Sequence, residues 1–196
     1  MAAAYAPDLK IVGVAAAAPA TELGKLMHDD IDTAGGKNLL AMTLYAWSKV
    51  FDAPIQDVVT PTAMKTVDTL ANVCLESIVD MPARLMAGQA LMKDFLSVND
   101  ITDLQPWTGL MTQNTVGTLP PDLPVMLVQG TKDDTVLPEV TASYMAKLCA
   151  AGSKVTMHPL PGIGHLSVAK DGAPAFVEWL GNVAAGRPVA NNCTSG

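Results

Sequence analysis

An aspartate and a histidine stand in this chain where short apolar runs give out. VMLVQGTKDD, residues 125–134, leads through Gly130 to Asp133 and Asp134, and KVTMHPLPGIGH, residues 154–165, leads into a glycine-rich loop that ends at His165. Brought together, such groups act as an orienting acid and a general base. The carboxylate fixes the imidazole tautomer and stabilises the imidazolium, while the other ring nitrogen takes a proton from a nucleophile. Singly, each has a plainer reading, Asp133 as a cap for the helix that follows and His165 as a loop residue. Their joint position at corresponding strand ends favours catalysis.

Such positions need a parallel sheet beneath them. The pattern after residue 119 predicts a strand at 125–129 between Pro124 and Gly130, then a helix at 139–151 with Val140, Tyr144 and Leu148 on one face. Gly152 stops that helix, a second strand follows at 154–158, and a last helix at 173–184 turns Phe176, Leu180 and Val183 inward. This alternation implies a parallel sheet with covering helices, whose chemistry lies beyond the carboxyl ends of the strands. Residues 9–16, with β-branched Ile11, Val12 and Val14, add a short buried strand.

Between these parts the character is helical. Apolar residues recur at Leu39, Leu40, Leu44, Trp47 and Phe51, then at Met64, Val67, Leu70, Ala71, Cys74, Leu75 and Ile78, and Pro54, Pro61 and Pro82 cut the block into helix lengths. Met81, Met86, Met92 and Met111 read as core, although a plastic apolar surface over an active site would use the same residues.

Composition bounds the partners. At 196 residues, 49% of them hydrophobic, the chain can bury a genuine core, and a net charge of -7 with scattered Lys and Arg offers no face for nucleic acid or anionic lipid. The longest apolar run, residues 11–20, is too short to cross a bilayer and is broken by Pro19. No targeting segment is recognised.

Cys74, Cys149 and Cys193 fit neither a zinc pattern nor a CxxC pair. Three buried thiols are one reading. Cys193, however, lies in the polar tail GRPVANNCTSG, where a bridge to Cys149 in an oxidising compartment is the other. His28 beside Asp29 and Asp30 lacks a second histidine at ligand spacing, so no metal is expected there, and His158 reads as a strand-end residue.

Four stretches, YAPDLKIVGVAAAAPATEL, PVMLVQGTKDDTVLPEVTASYMAKLCAAGSKVT, LPGIGHLS and FVEWLGNVAAGRPVANNC, resemble the secretory lipase family of α/β-hydrolases, over residues 5–193 and most weakly in the helical middle. The resemblance implies an ester hydrolase with a Ser-Asp-His triad in that chain order and no metal or cofactor. The family's G-T-x-D falls on Gly130, Thr131 and Asp133 and its G-H on Gly164 and His165. Asp133 is thereby the triad acid, while Asp134 falls on a variable position that faces solvent or starts a helix. One departure, Leu137 between Val136 and Pro138, bears on the choice between the two aspartates. The resemblance also implies a Cys149–Cys193 disulfide, a partner for Cys74 upstream of the chain, and secretion.

The nucleophile is missing. No GxSxG occurs, and Ser48, Ser77, Ser97, Ser143, Ser153, Ser167 and Ser195 lack its flanking glycines. By the resemblance MAAAYAP is the tail of the helix after the nucleophile elbow, and the serine is expected roughly 20 to 30 residues before Tyr5. The oxyanion donors would be lost with it. Met1 then reads as an internal methionine, a misassigned start or a fragment end.

The expected architecture is the C-terminal part of an α/β-hydrolase, strands six to eight with flanking helices and an inserted, mainly helical cap. Residues 1–20 supply a core strand, 21–119 the cap, and 120–196 the core that carries the acid and base. Two functions follow. One is part of a secreted lipase or esterase, inactive alone, acting on an ester or acylglycerol, with its N-terminal half missing and its cap able to meet a lipid–water interface. The other is a truncated or repurposed binding or structural module that pairs through its bare sheet edge.

Overall fold

The computed structural model describes residues 5–74, 79–121 and 123–193. It divides into two compact units, Glu22–Thr115 and the remainder, Met1–Thr21 with Val116–Gly196.

The first unit is helical, with α1 at Leu23–Asp29, α2 at Ala34–Val50, α3 at Met64–Ala71, α4 at Met81–Lys93 and α5 at Trp107–Asn114. Thr33 starts α2 by accepting a hydrogen bond from the Gly36 N–H at 2.9 Å. Pro82 lies in the first turn of α4, where its missing N–H leaves no hydrogen bond unmade. The apolar spacing closes a core around Leu44, Val67, Leu70, Leu91 and Trp107, all fully buried. Met111 joins that core, but Met81, Met86 and Met92 are exposed. The reason is that α4 buries only the narrow strip Ala87, Gly88 and Leu91. Leu75 and Ile78, the end of the expected stripe, lie outside the described residues.

The second unit holds a parallel sheet in the order β1-β2-β3, formed by Val14–Ala17, Pro124–Gly130 and Lys154–Leu160. Helix α6, Pro138–Ala150, connects β2 to β3, and α7, His165–Ala184, follows β3. β2 is buried almost throughout, as a central parallel strand must be. Strand alternation sends Val125 and Leu127 into a cluster with Tyr144 and Leu148 of α6. A Cβ at Gly172 of α7 would lie 2.9 Å from Val128, so that glycine lets the helix close on the opposite face of β2.

Three expectations are corrected. β1 starts at Val14, not residue 9: its register pairs Val14 with Val125, β2 begins one residue earlier, and Ile11 and Val12 are left half exposed. α7 starts at His165, not residue 173, because packing of Val168 and Gly172 carries the helix through the sequence stop at Gly172 and Pro174. Leu180 is then exposed, and Trp179 takes the inward place. Among the described residues no helix is long and apolar enough to cross a membrane.

Candidate active site

The ends of β2 and β3 are laced together. A Cβ on Gly130 would stand 2.3 Å from the Ile163 carbonyl oxygen, so only glycine permits this approach. Thr131 N–H donates to Leu160 O and Lys132 N–H to Ile163 O, each at 3.0 Å. In return Gly162, at φ +76°, donates its N–H to Thr131 Oγ1 at 2.8 Å. These bonds fix the loop bearing Asp133 against the loop that delivers His165.

His165 is the first residue of α7, after Gly164 at the N-cap, rather than the loop residue expected. Its Nδ1 lies 2.9 Å from Asp133 Oδ2. A carboxylate only accepts, so the hydrogen is on Nδ1, and in the neutral ring Nε2 is the nitrogen that can accept a proton. The Asp133 side chain is fully buried, whereas that of His165 is 32% exposed. The carboxylate is thus shielded and the imidazole can be reached.

Asp133 is held on both oxygens. Oδ1 accepts from the N–H groups of Thr135 at 3.0 Å and Val136 at 2.8 Å, and Oδ2 accepts also from Gln129 Nε2 at 3.2 Å. Asp134, one residue on, is exposed. Nor does it start α6, whose N-cap residue is Leu137 without a side-chain cap.

Sequence reasoning missed Gln129 and Thr141. Both are buried, and Thr141 Oγ1 donates to Gln129 Oε1 at 2.6 Å. The available signal was a glutamine closing an otherwise apolar run.

The remaining candidates lie apart from this pair. Cys149 and Cys193 form a disulfide, and Cys74 is an exposed free thiol. His28 is exposed, with Nδ1 2.8 Å from Asp100 Oδ2. Asp100 is held below the usual carboxylate range, first by the Thr102 hydroxyl and N–H and then by His28. His158 sits within β3 opposite Val128, since the strand runs on to Leu160. Among the described residues no three His, Cys, Asp or Glu side chains are grouped to hold a metal. No serine hydroxyl among them is bonded to His165: Ser48 donates to Tyr45 O and Ser97 to Asp57 O, Ser143 is exposed, Ser153 buried, and Ser167 half-buried on α7. Ser77 and Ser195 lie outside the described residues.

The sequence profile of the secretory lipase family matches residues 1–192. Two solved structures of lipase A from Candida antarctica share the fold. One, in a closed state, has a TM-score of 0.72 at 19% identity over 97% of this chain. The other has a TM-score of 0.75 at 17% identity over 98%. In both cases the chain spans 46% of the lipase's length. No curated protein sequence matches.

Proposed function

The chain belongs to the secretory lipase family, and from that premise we propose that Asp133 and His165 are the acid and base of a Ser-His-Asp triad for carboxylic ester hydrolysis. The carrying observation is the buried carboxylate 2.9 Å from the Nδ1 of a partly exposed imidazole, beyond the ends of adjacent parallel strands. In this reaction His165 Nε2 takes the proton of a serine hydroxyl as the oxygen attacks the ester carbonyl, then returns it to the leaving alcohol. Asp133 stabilises the imidazolium between those steps.

The serine and the oxyanion donors belong to a part of the hydrolase outside these 196 residues. The share of lipase A that the chain spans supports this reading. So does β1, whose outer side pairs with no strand among the described residues. The substrate is an acyl ester or acylglycerol. The exposed Met81, Leu85, Met86 and Met92 of α4, within the stretch 21–119 read as a cap, suit contact with acyl chains or a lipid–water interface. Secretion agrees with the family and with a disulfide, which persists in oxidising compartments.

Hydrolysis of a short-chain nitrophenyl ester tests the assignment. The 196-residue chain alone is expected to show no turnover, and a chain extended upstream through a G-x-S-x-G segment is expected to be active and to lose at least about 1,000-fold in kcat on His165→Ala. Turnover by the short chain that depends on His165 would place the nucleophile within it. An extended chain indifferent to His165→Ala would remove the base assignment.

A further inference from the structure

Beneath the Asp133–His165 pair lies a second polar layer that makes no hydrogen bond to the imidazole. Gln129 ends the apolar run of β2 and, by strand alternation, turns toward α6, where Thr141 waits. The two are 2% and 0% exposed, and in so dry a place each polar atom must be matched. They are matched in one sense only. Gln129 Nε2 faces three acceptors, Val136 O at 3.0 Å and Asp133 Oδ2 and Gly130 O at 3.2 Å each, while Oε1 accepts from Thr141 at 2.6 Å. A reversed amide would set its oxygen against all three acceptors.

Resting on the triad reading above, we infer that Gln129 and Thr141 are positioning residues that aim Asp133 Oδ2 at His165. The backbone N–H groups of Thr135 and Val136 fix the other oxygen, Oδ1, and so set one end of the carboxylate. Gln129 fixes the second end by donating to the same oxygen that receives His165 Nδ1–H. The three acceptors set the amide so that it presents N–H and not C=O, and Thr141 holds it there by donating to Oε1. The pair therefore steadies the carboxylate that selects the imidazole tautomer whose Nε2 can accept a proton, without adding a charge to the site.

The test reads the tautomer directly in the 196-residue chain, by long-range proton–nitrogen NMR of the imidazoles at alkaline pH, with His28 and His158 as internal references. The unaltered chain is expected to hold His165 as the Nδ1–H form. Thr141→Val and Gln129→Met are each expected to lower the ratio of Nδ1–H to Nε2–H roughly tenfold, and Thr141→Ser to restore it. His28 and His158 should not change, which a general loosening of the fold would not spare. Folded variants with an unaltered His165 tautomer overturn the inference while leaving the triad reading intact. A parent chain without the Nδ1–H form overturns the triad reading itself. A second measurement needs no variant: because both donors share Oδ2, the Gln129 side-chain amide protons should shift at the midpoint of the His165 titration. Their indifference to that titration also overturns the inference.

Discussion

Along the outer edge of β3 the tail of the chain takes the place of a strand. The Asn192 N–H donates to Val155 O at 2.7 Å, the Asn191 and Asn192 side chains accept from the N–H groups of Val155 and Met157, and the Cys149–Cys193 disulfide secures the end. Along β1 nothing comparable is found among the described residues. Its four residues pair with β2 alone, and the segment before it leaves Leu9, Ile11 and Val12 exposed. An open strand edge is a hazard that folds ordinarily cover, so the contrast is between a covered edge and an open one among the described residues. The proposed triad sits at the finished side, which is why its acid and base can be ordered in a chain that spans under half of lipase A.

The largest effect is expected where the finished edge is clamped. The disulfide closes a loop of sequence separation 44, and Cys193→Ala should destabilise the unit by about 4 kcal/mol in urea unfolding, a loss matched by reducing the parent chain. Equal stability of the reduced and oxidised chains would show that the asparagine contacts alone hold the edge. Next in size, Gly130→Ala drives a methyl group into the Ile163 carbonyl and should cost about 2–3 kcal/mol, because backbone rather than a pliant side chain must move. It should also separate His165 from Asp133, read as loss of the Nδ1–H signal.

A smaller effect lies at the entrance to β2. Tyr144 of α6 is buried and donates its hydroxyl to Gly117 O at 3.1 Å, and burial raises its pKa above the ordinary 10.0. A raised value means that the fold favours the neutral phenol, so its contribution is complete below the unfolded value and is lost as pH climbs through the folded one. Tyr144→Phe should cost about 1 kcal/mol at neutral pH and make alkaline unfolding shallower than in the parent. Parallel alkaline curves for the two proteins would rule out this group as the cause.

The same contrast explains what could be read from the sequence. β2 and β3 announce themselves by apolar runs ending in turn residues, and their ends carry Asp133 and His165, so the meeting of these two side chains was legible. Longer-range packing was not. Gly172 and Pro174 look like a helix start, yet close contact with Val128 carries α7 back to His165. Gln129 looks like the polar boundary of a strand, and only the meeting of β2 with Thr141 in three dimensions gives it a bonded place. The start of β1 was misplaced because a β-branched segment carries no mark of whether a partner strand lies beside it.

That last misreading leads to the smallest predicted change in stability and the most direct test of the contrast. Val12 is 45% exposed just ahead of β1, so Val12→Lys should alter stability by less than about 0.5 kcal/mol. A lysine beside an open edge does, however, oppose pairing with a second chain, since docking would have to desolvate its charge. Sedimentation velocity should therefore find the parent chain self-associating with rising concentration and the variant less so, with their urea midpoints nearly superimposed. A parent that stays monomeric throughout would mean that the β1 side is already protected, and the distinction between a covered and an open edge would lose its physical basis.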